Sequence, residues 1–216
     1  MTILLLLLML TVVLLAQWYL ARKSERIAAL ARVAESSGDL YYHPGHTWVS
    51  VHGKSLATAG ATNLAANFVG RLASIELPPE GARLQQGQPA WTLVSHNGRR
   101  LSQAMPIAGK VIAVNRSLLR DPALAQRSAH GAGWLLRIRP TRLGKNIRNL
   151  LTPTAAKSWL DSTRAQITGR VDPALGLVAQ DGGELDTGFG DHLSDSDWNT
   201  LRDDLFAAAA APPGNS

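Results

Sequence analysis

The chain has 216 residues, enough for one ordinary domain with appendages, and 45% of them are apolar, a leucine-rich N-terminus taking a disproportionate share. It contains no cysteine, which excludes disulfides, iron–sulfur clusters and thiolate zinc sites. The net charge of +6 is uneven: Tyr41 to Pro140 holds eleven Lys/Arg against three Asp/Glu, whereas Thr141 to Ser216 holds seven against ten. A basic middle and an acidic tail suit anionic lipid, an acidic protein surface, or each other. Nucleic acid is not expected as a partner, because the basic residues are scattered and no reader motif accompanies them.

At the N-terminus, Ile3 to Ala21 carries only Thr11, Gln17 and Tyr19 as polar side chains. Helical rise over that span makes roughly 28 Å, close to a bilayer's hydrocarbon core. Trp18 and Tyr19 sit where amphipathic rings favour the headgroup level, and Arg22, Lys23 and Arg26 follow at once. A cleaved signal peptide would need a cationic start and a small-x-small cleavage site, and both are poor here. The expectation is an uncleaved transmembrane helix over 1–21 in the inner membrane, with Trp18, Tyr19, Arg22 and Lys23 at the interface. The cationic flank places the following domain on the cytoplasmic side. Ile27, Leu30, Ala31 and Ala34 have helical spacing, so 22–40 reads as a helical stalk ended by Ser36-Ser37-Gly38.

Residues 41–140 read as mostly β. Thr47–Val51 alternates and meets the turn signal His52-Gly53-Lys54 before Ser55–Ala59. Asn63–Phe68 has weak helical spacing. Arg71–Leu77 alternates again and is broken by Pro78-Pro79-Glu80-Gly81. Pro89–Val94 is a short apolar run, and Asn97-Gly98 after it suits a two-residue hairpin turn with positive φ. Gly109–Val114 and Gly133–Ile138 complete the strands. Short strands with Gly/Pro punctuation point to a small sandwich or barrel.

The ordered set of residues here resembles the glycine cleavage H-protein family. Tyr42, His46, Trp48 and Val49 match its opening strand, and Leu56-Ala57-Thr58-Ala59-Gly60-Ala61-Thr62 the next. Gly70, Ile75, Glu76, Leu77, Pro78, Gly81 and Gly87 keep the order. Pro106-Ile107-Ala108-Gly109-Lys110-Val111, Val114-Asn115, Leu118, Pro122 and Gly131-Ala132-Gly133-Trp134-Leu135 follow. The resemblance implies a mainly β, lipoyl-type sandwich (a barrel-sandwich hybrid) with short helices. It also implies a lysine at the tip of the hairpin before Pro106, carrying lipoate between partner enzymes. In this chain the hairpin reads Val94-Ser95-His96-Asn97-Gly98-Arg99-Arg100-Leu101, with Asn97 or Gly98 at the lysine's place. Lys54 and Lys110 lie in another turn and on a following strand, and a guanidinium is no amide-forming nucleophile at ordinary pH. Neither lipoate nor another cofactor is therefore expected.

His96, Asn97, Gly98, Arg99 and Arg100 form a candidate contact surface, two guanidiniums on a protruding hairpin suiting an acidic partner groove or lipid headgroups. His43, His46 and His52 are close in sequence, but neighbouring strands can point them to different faces, and no metal is expected. No Ser/His/Asp arrangement or phosphate loop supports catalysis or a small-molecule substrate.

Beyond Pro140, in 141–210, Thr152-Pro153 opens a helix to about Thr168, closed by Gly169, with Ala156, Trp159, Leu160, Thr163 and Ile167 on one face. Ser194-Asp195-Ser196-Asp197 resembles a capping box for a second helix bearing Trp198, Leu201, Leu205 and Phe206. Gln180–Glu184 reads as a turn, the acidic stretch Asp181–Asp191 fits no EF-hand spacing, and 211–216 reads as a tail. Trp159 and Trp198 need a surface to bury them, either the chain's own sandwich or another protein. The functional expectation is a membrane-anchored, non-catalytic interaction or scaffold module. Two alternatives stand beside it: a lipoyl-type carrier of a glycine cleavage-like system, and an adaptor subunit of a membrane export system.

Overall fold

The computed structural model describes residues 9–18, 38–170 and 187–206, divided between two units, Met1–Gly38 and Asp39–Ser216. In the first unit residues 9–18 are helical, with Leu10, Val12, Leu14, Leu15 and Trp18 exposed. Among the described residues no helix is long and apolar enough to cross a membrane. The expected span from Ile3 to Ala21 lies partly outside those residues, and Tyr19, Arg22, Lys23 and most of the expected stalk lie outside them. The stalk's last two residues, Asp39 and Leu40, instead open a strand (Asp39–His43) and pair with Val51 and Ser50.

The second unit is built from β1 (Asp39–His43), β2 (Thr47–His52), β3 (Leu56–Ala61), β4 (Leu72–Glu76), β5 (Arg83–Leu84), β6 (Pro89–Ser95), β7 (Arg100–Ala104), β8 (Gly109–Val114) and β9 (Leu136–Pro140). One sheet has the order β1-β2-β3-β9-β8-β5 and the other β4-β6-β7, every pairing antiparallel. The alternation in the sequence sets which face is inside. Val49, Ala57, Val111 and Ile138 of the first sheet and Ile75, Leu93 and Leu101 of the second share one core. Burying each of these Val, Leu or Ile side chains stabilises the fold by roughly 1.5–3 kcal/mol.

Four short helices and one long one pack around the sheets: α1 (Asn63–Phe68), α2 (Leu124–Arg127), α3 (Leu143–Ile147), the long α4 (Pro153–Arg170) and α5 (Asp195–Leu201). Thr62 caps α1, its hydroxyl accepting from Ala65 N at 3.3 Å. Buried amides fix the irregular stretches. Gln126 of α2 donates to Ala66 O and Gly70 O, both at 3.0 Å, holding the end of α1. Asn115 donates to Ala132 O and Trp134 O, both at 2.7 Å. Asn146 of α3 accepts from Ala108 N at 2.9 Å and donates to Gln86 Oε1 at 2.8 Å.

Several sequence expectations shift. The last strand starts at Leu136 rather than Gly133, because Gly133 N bonds Ser128 O at 2.8 Å in a turn after α2. The helix opened by Pro153 runs through Gly169 to Arg170, glycine being tolerated at the fraying end of a long helix. The two-residue strand β5 and the one-turn helices α2 and α3 leave too little periodicity to be read locally. The expected turn Gln180–Glu184 and the expected tail lie outside the described residues.

Candidate functional site

The hairpin tip is built by β6 and β7, whose last paired residues are Val94 and Arg100. Gly98 N bonds Ser95 O at 3.1 Å and Ser95 N bonds Arg99 O at 3.0 Å. Asn97 keeps negative φ and only Gly98 is left-handed, at φ 85°. The tip is thus a three-residue loop in which a turn is followed by a left-handed glycine, not the two-residue turn expected from Asn97-Gly98. The reason is local: the Ser95 hydroxyl bonds the Asn97 carboxamide and accepts from Arg99 N at 3.1 Å, which draws one more residue into the loop.

The C-terminal segment lies against this tip. Asp191 accepts from Arg71 N at 2.9 Å and from Arg71 Nε at 3.2 Å with one oxygen, and from Asn97 Nδ2 at 3.2 Å with the other. The Arg99 guanidinium donates to Gly190 O, to Leu193 O at 2.7 Å and to Asp195 Oδ1 at 2.8 Å, and its side chain is only 11% exposed. Trp198 stacks on Phe68 with centroids 5.3 Å apart and donates its indole N–H to Phe68 O at 3.0 Å. Arg99 also lies over the Trp198 ring, 5.5 Å from its centroid. The approach is close enough to demand glycine: a Cβ on Gly190 would meet Phe68 O at 1.8 Å. Ser194 caps α5 with its hydroxyl accepting from Asp197 N at 3.1 Å, in the place the sequence motif indicates.

His46 ties the two C-terminal pieces together. It occupies the β1–β2 turn at φ 55°, and its ring stacks on Trp159 of α4 at 4.3 Å and leans on Phe206 at 4.5 Å. Burial pushes its pKa down to about 3, so the ring is neutral at ordinary pH. The other two clustered histidines turn elsewhere. His43 Nδ1 accepts from Gly45 N at 3.0 Å, and His52 Nε2 lies 3.4 Å from Thr58 Oγ1. Among the described residues no group of three His/Asp/Glu is placed to hold a metal ion. Trp198 is buried on the chain's own sandwich, and Trp159 is partly buried against it.

Of the nominated contact residues, His96, Asn97, Gly98 and Arg100 are exposed and Arg99 is not free. Arg100 pairs with Glu76 at 2.6 Å, and the pairing raises its pKa. Sequence reasoning missed Asp191, whose partners are distant in the chain and which sits at the end of a stretch read only as an acidic turn. The tip does not fit lipoate. Attachment needs an amine there, and the position holds Asn97 and Gly98, while Lys54 lies in the β2–β3 turn, Lys110 on β8, Lys145 on α3 and Lys157 on α4.

A family model described as glycine cleavage H-protein matches residues 40–163, running beyond Pro140 into α4. The glycine cleavage system H protein of Rubrobacter xylanophilus is 36% identical over 108 residues, covering 50% of this chain and 83% of that one. That of Stenotrophomonas maltophilia is 30% identical over 130 residues, covering 60% and 98%. A crystal structure of a glycine cleavage system H protein from Mycobacterium marinum covers 54% of this chain and 92% of its own, at TM-score 0.49 and 26% identity. With the family match spanning more than half its length, the chain belongs to the glycine cleavage H-protein family.

Proposed function

We propose that this chain is a membrane-tethered, non-lipoylated member of the family that works as a binding module within a membrane-associated complex, not as a carrier. The observation that carries the reading is the hairpin tip: no amine stands there, and the chain's own Asp191 and Gly190–Asp195 engage Asn97 and Arg99. A family scaffold that keeps its shape and has its reactive end fastened down retains surfaces for recognition while losing the swinging arm. The tether rests on the apolar stretch Ile3–Ala21 and its cationic flank, which orient the domain toward the cytoplasm at the inner membrane. An acidic protein partner complements the excess positive charge of residues 41–140.

The names of the relatives favour a second reading, a lipoyl carrier of a glycine cleavage system. A mild-detergent pull-down of the full-length protein, with intact-mass analysis of the bait, separates the two. The proposal expects the unmodified mass and a reproducible set of membrane partners. A bait heavier by one lipoyl group, or one arriving with glycine cleavage enzymes, overturns it.

A further inference from the structure

Both arginines that the sequence nominates at the hairpin are paired, Arg99 with Asp195 and Arg100 with Glu76. Among the described residues, a group of cations without a carboxylate partner lies on the other sheet. Arg83 of β5 is directly opposite Lys110 of β8, and Lys110 is directly opposite Arg139 of β9. Directly opposed residues of antiparallel strands share a face with Cβ atoms about 5 Å apart, so the three cations form one row roughly 10 Å long across the sheet. Arg83 and Arg139 are exposed and Lys110 is half-buried. Among the described residues no carboxylate pairs with any of them. Glu80, two residues before Ala82, which accepts from Val111 N beside the row, is itself ion-paired with Arg116 at 3.6 Å.

Like charges placed opposite one another on a sheet repel, so the row is a local cost that an anionic surface would offset. Arg142, Lys145 and Arg148 add to it at the same end of the sheet. They are exposed, without a carboxylate partner among the described residues, and α3 is fastened through Asn146 to Gln86 and Ala108, near β5 and β8.

We propose that the Arg83–Lys110–Arg139 row lies on anionic phospholipid headgroups. A protein interface centres on buried aromatic or large apolar anchors, and no large apolar side chain stands well exposed on β5, β8 or β9 beside the row. Headgroup attraction needs only cations, each worth about fivefold in partitioning. The choice of a bilayer over other anionic surfaces rests on the membrane tether proposed above.

The chain has no cysteine, so Gln85→Cys beside the row takes a single donor dye cleanly. Full-length labelled protein is reconstituted into phosphatidylcholine vesicles, with or without phosphatidylglycerol, carrying a headgroup acceptor dye. Energy transfer is expected to rise with phosphatidylglycerol and to fall as salt is raised toward 1 M, where the Debye length shrinks to about 3 Å. Lys110→Glu/Arg139→Glu lowers the docked fraction about 25-fold or more, at fivefold per cation removed, and Lys157→Glu on α4 leaves it unchanged. Equal transfer in both lipids, or transfer indifferent to the double reversal, overturns the proposal. So does a label that stays remote from the bilayer while an acidic protein is retained by the wild type and lost by the reversal. A chain that fails to enter vesicles at all sinks the tether instead. Co-sedimentation of that chain with phosphatidylglycerol vesicles then decides the row by itself, binding that the reversal abolishes supporting it and no binding overturning it.

Discussion

Two cationic regions of this domain are opposites in structure. At the hairpin tip, Arg99 is mostly covered by the C-terminal segment and its donors reach two carbonyls and a carboxylate. Across β5, β8 and β9, Arg83, Lys110 and Arg139 face one another with no carboxylate among the described residues. In the first region positive charge is spent inside the chain, and in the second it is left for something outside. The comparison teaches that charge composition says how much positive charge exists, and only topology says which part of it is available.

The sharpest way to break the comparison is to release the cover. Trp198 is 3% exposed, stacked on Phe68 and hydrogen-bonded to its carbonyl. Trp198→Ala is expected to remove about 3–5 kcal/mol of docking free energy. Limited proteolysis reads it: cleavage within 187–206 accelerates while the sandwich core resists, and an unchanged digestion pattern would show that the segment is held by other contacts.

Acid attacks the same cover through His46. Its pKa is about 3 in the folded chain against an ordinary 6.5, so the unfolded state binds the proton more readily. The stability from keeping the ring neutral is present in full above pH 6.5. It is lost as pH falls from 6.5 toward 3, at up to about 1.4 kcal/mol per pH unit. His43, also lowered by burial, pushes the same way. Denaturant midpoints measured from pH 7.5 to 4.5 test this. The acid slope should flatten in His46→Asn, asparagine being among the side chains that tolerate the left-handed backbone at this turn.

How much of this was legible in the sequence follows the same divide between local and distant. The hairpin at Asn97-Gly98, the strand β8, the helix α1 and the Ser194 cap could be read because a turn residue, an alternation or a cap signals itself within a few positions. The membership of the family could be read from ordered motifs. The Asp191 lock could not, since Arg71 and Asn97 lie 120 and 94 residues away from it in the chain. Nor could the cationic row, which exists only once three strands distant in sequence are placed side by side. Arg99 and Arg100 stand out because adjacency is visible in a sequence, whereas the pairing that engages them is not.

Arg99→Lys separates the role of fork geometry from that of charge. An ammonium keeps the charge but cannot hold three divergent acceptors in the plane of a guanidinium. Losing charge-assisted hydrogen bonds in a mostly covered place is expected to cost about 1.5–3 kcal/mol. Amide exchange at Leu193, whose N–H bonds Gly190 O, should then speed up as the segment loosens. The neighbouring Arg100→Ala should leave the melting temperature unchanged, since its pair with Glu76 is exposed on both sides.

The smallest expected effect is the most diagnostic, because its sign is reversed. If Lys110 stands between two like charges with no carboxylate at hand, neutralising it relieves repulsion on both sides. Lys110→Gln keeps most of the length and polarity of the side chain while removing the charge. The variant should therefore be more stable than the wild type by about 0.2–1 kcal/mol at low ionic strength, the range measured for cross-strand pairs. High salt should erase the difference, since screening already does for the wild type what the substitution does for the variant. A stabilisation that persists at 1 M salt would instead be a packing effect of the glutamine. A destabilisation would mean that Lys110 has a favourable partner, and the row would then resemble the hairpin tip rather than contrast with it.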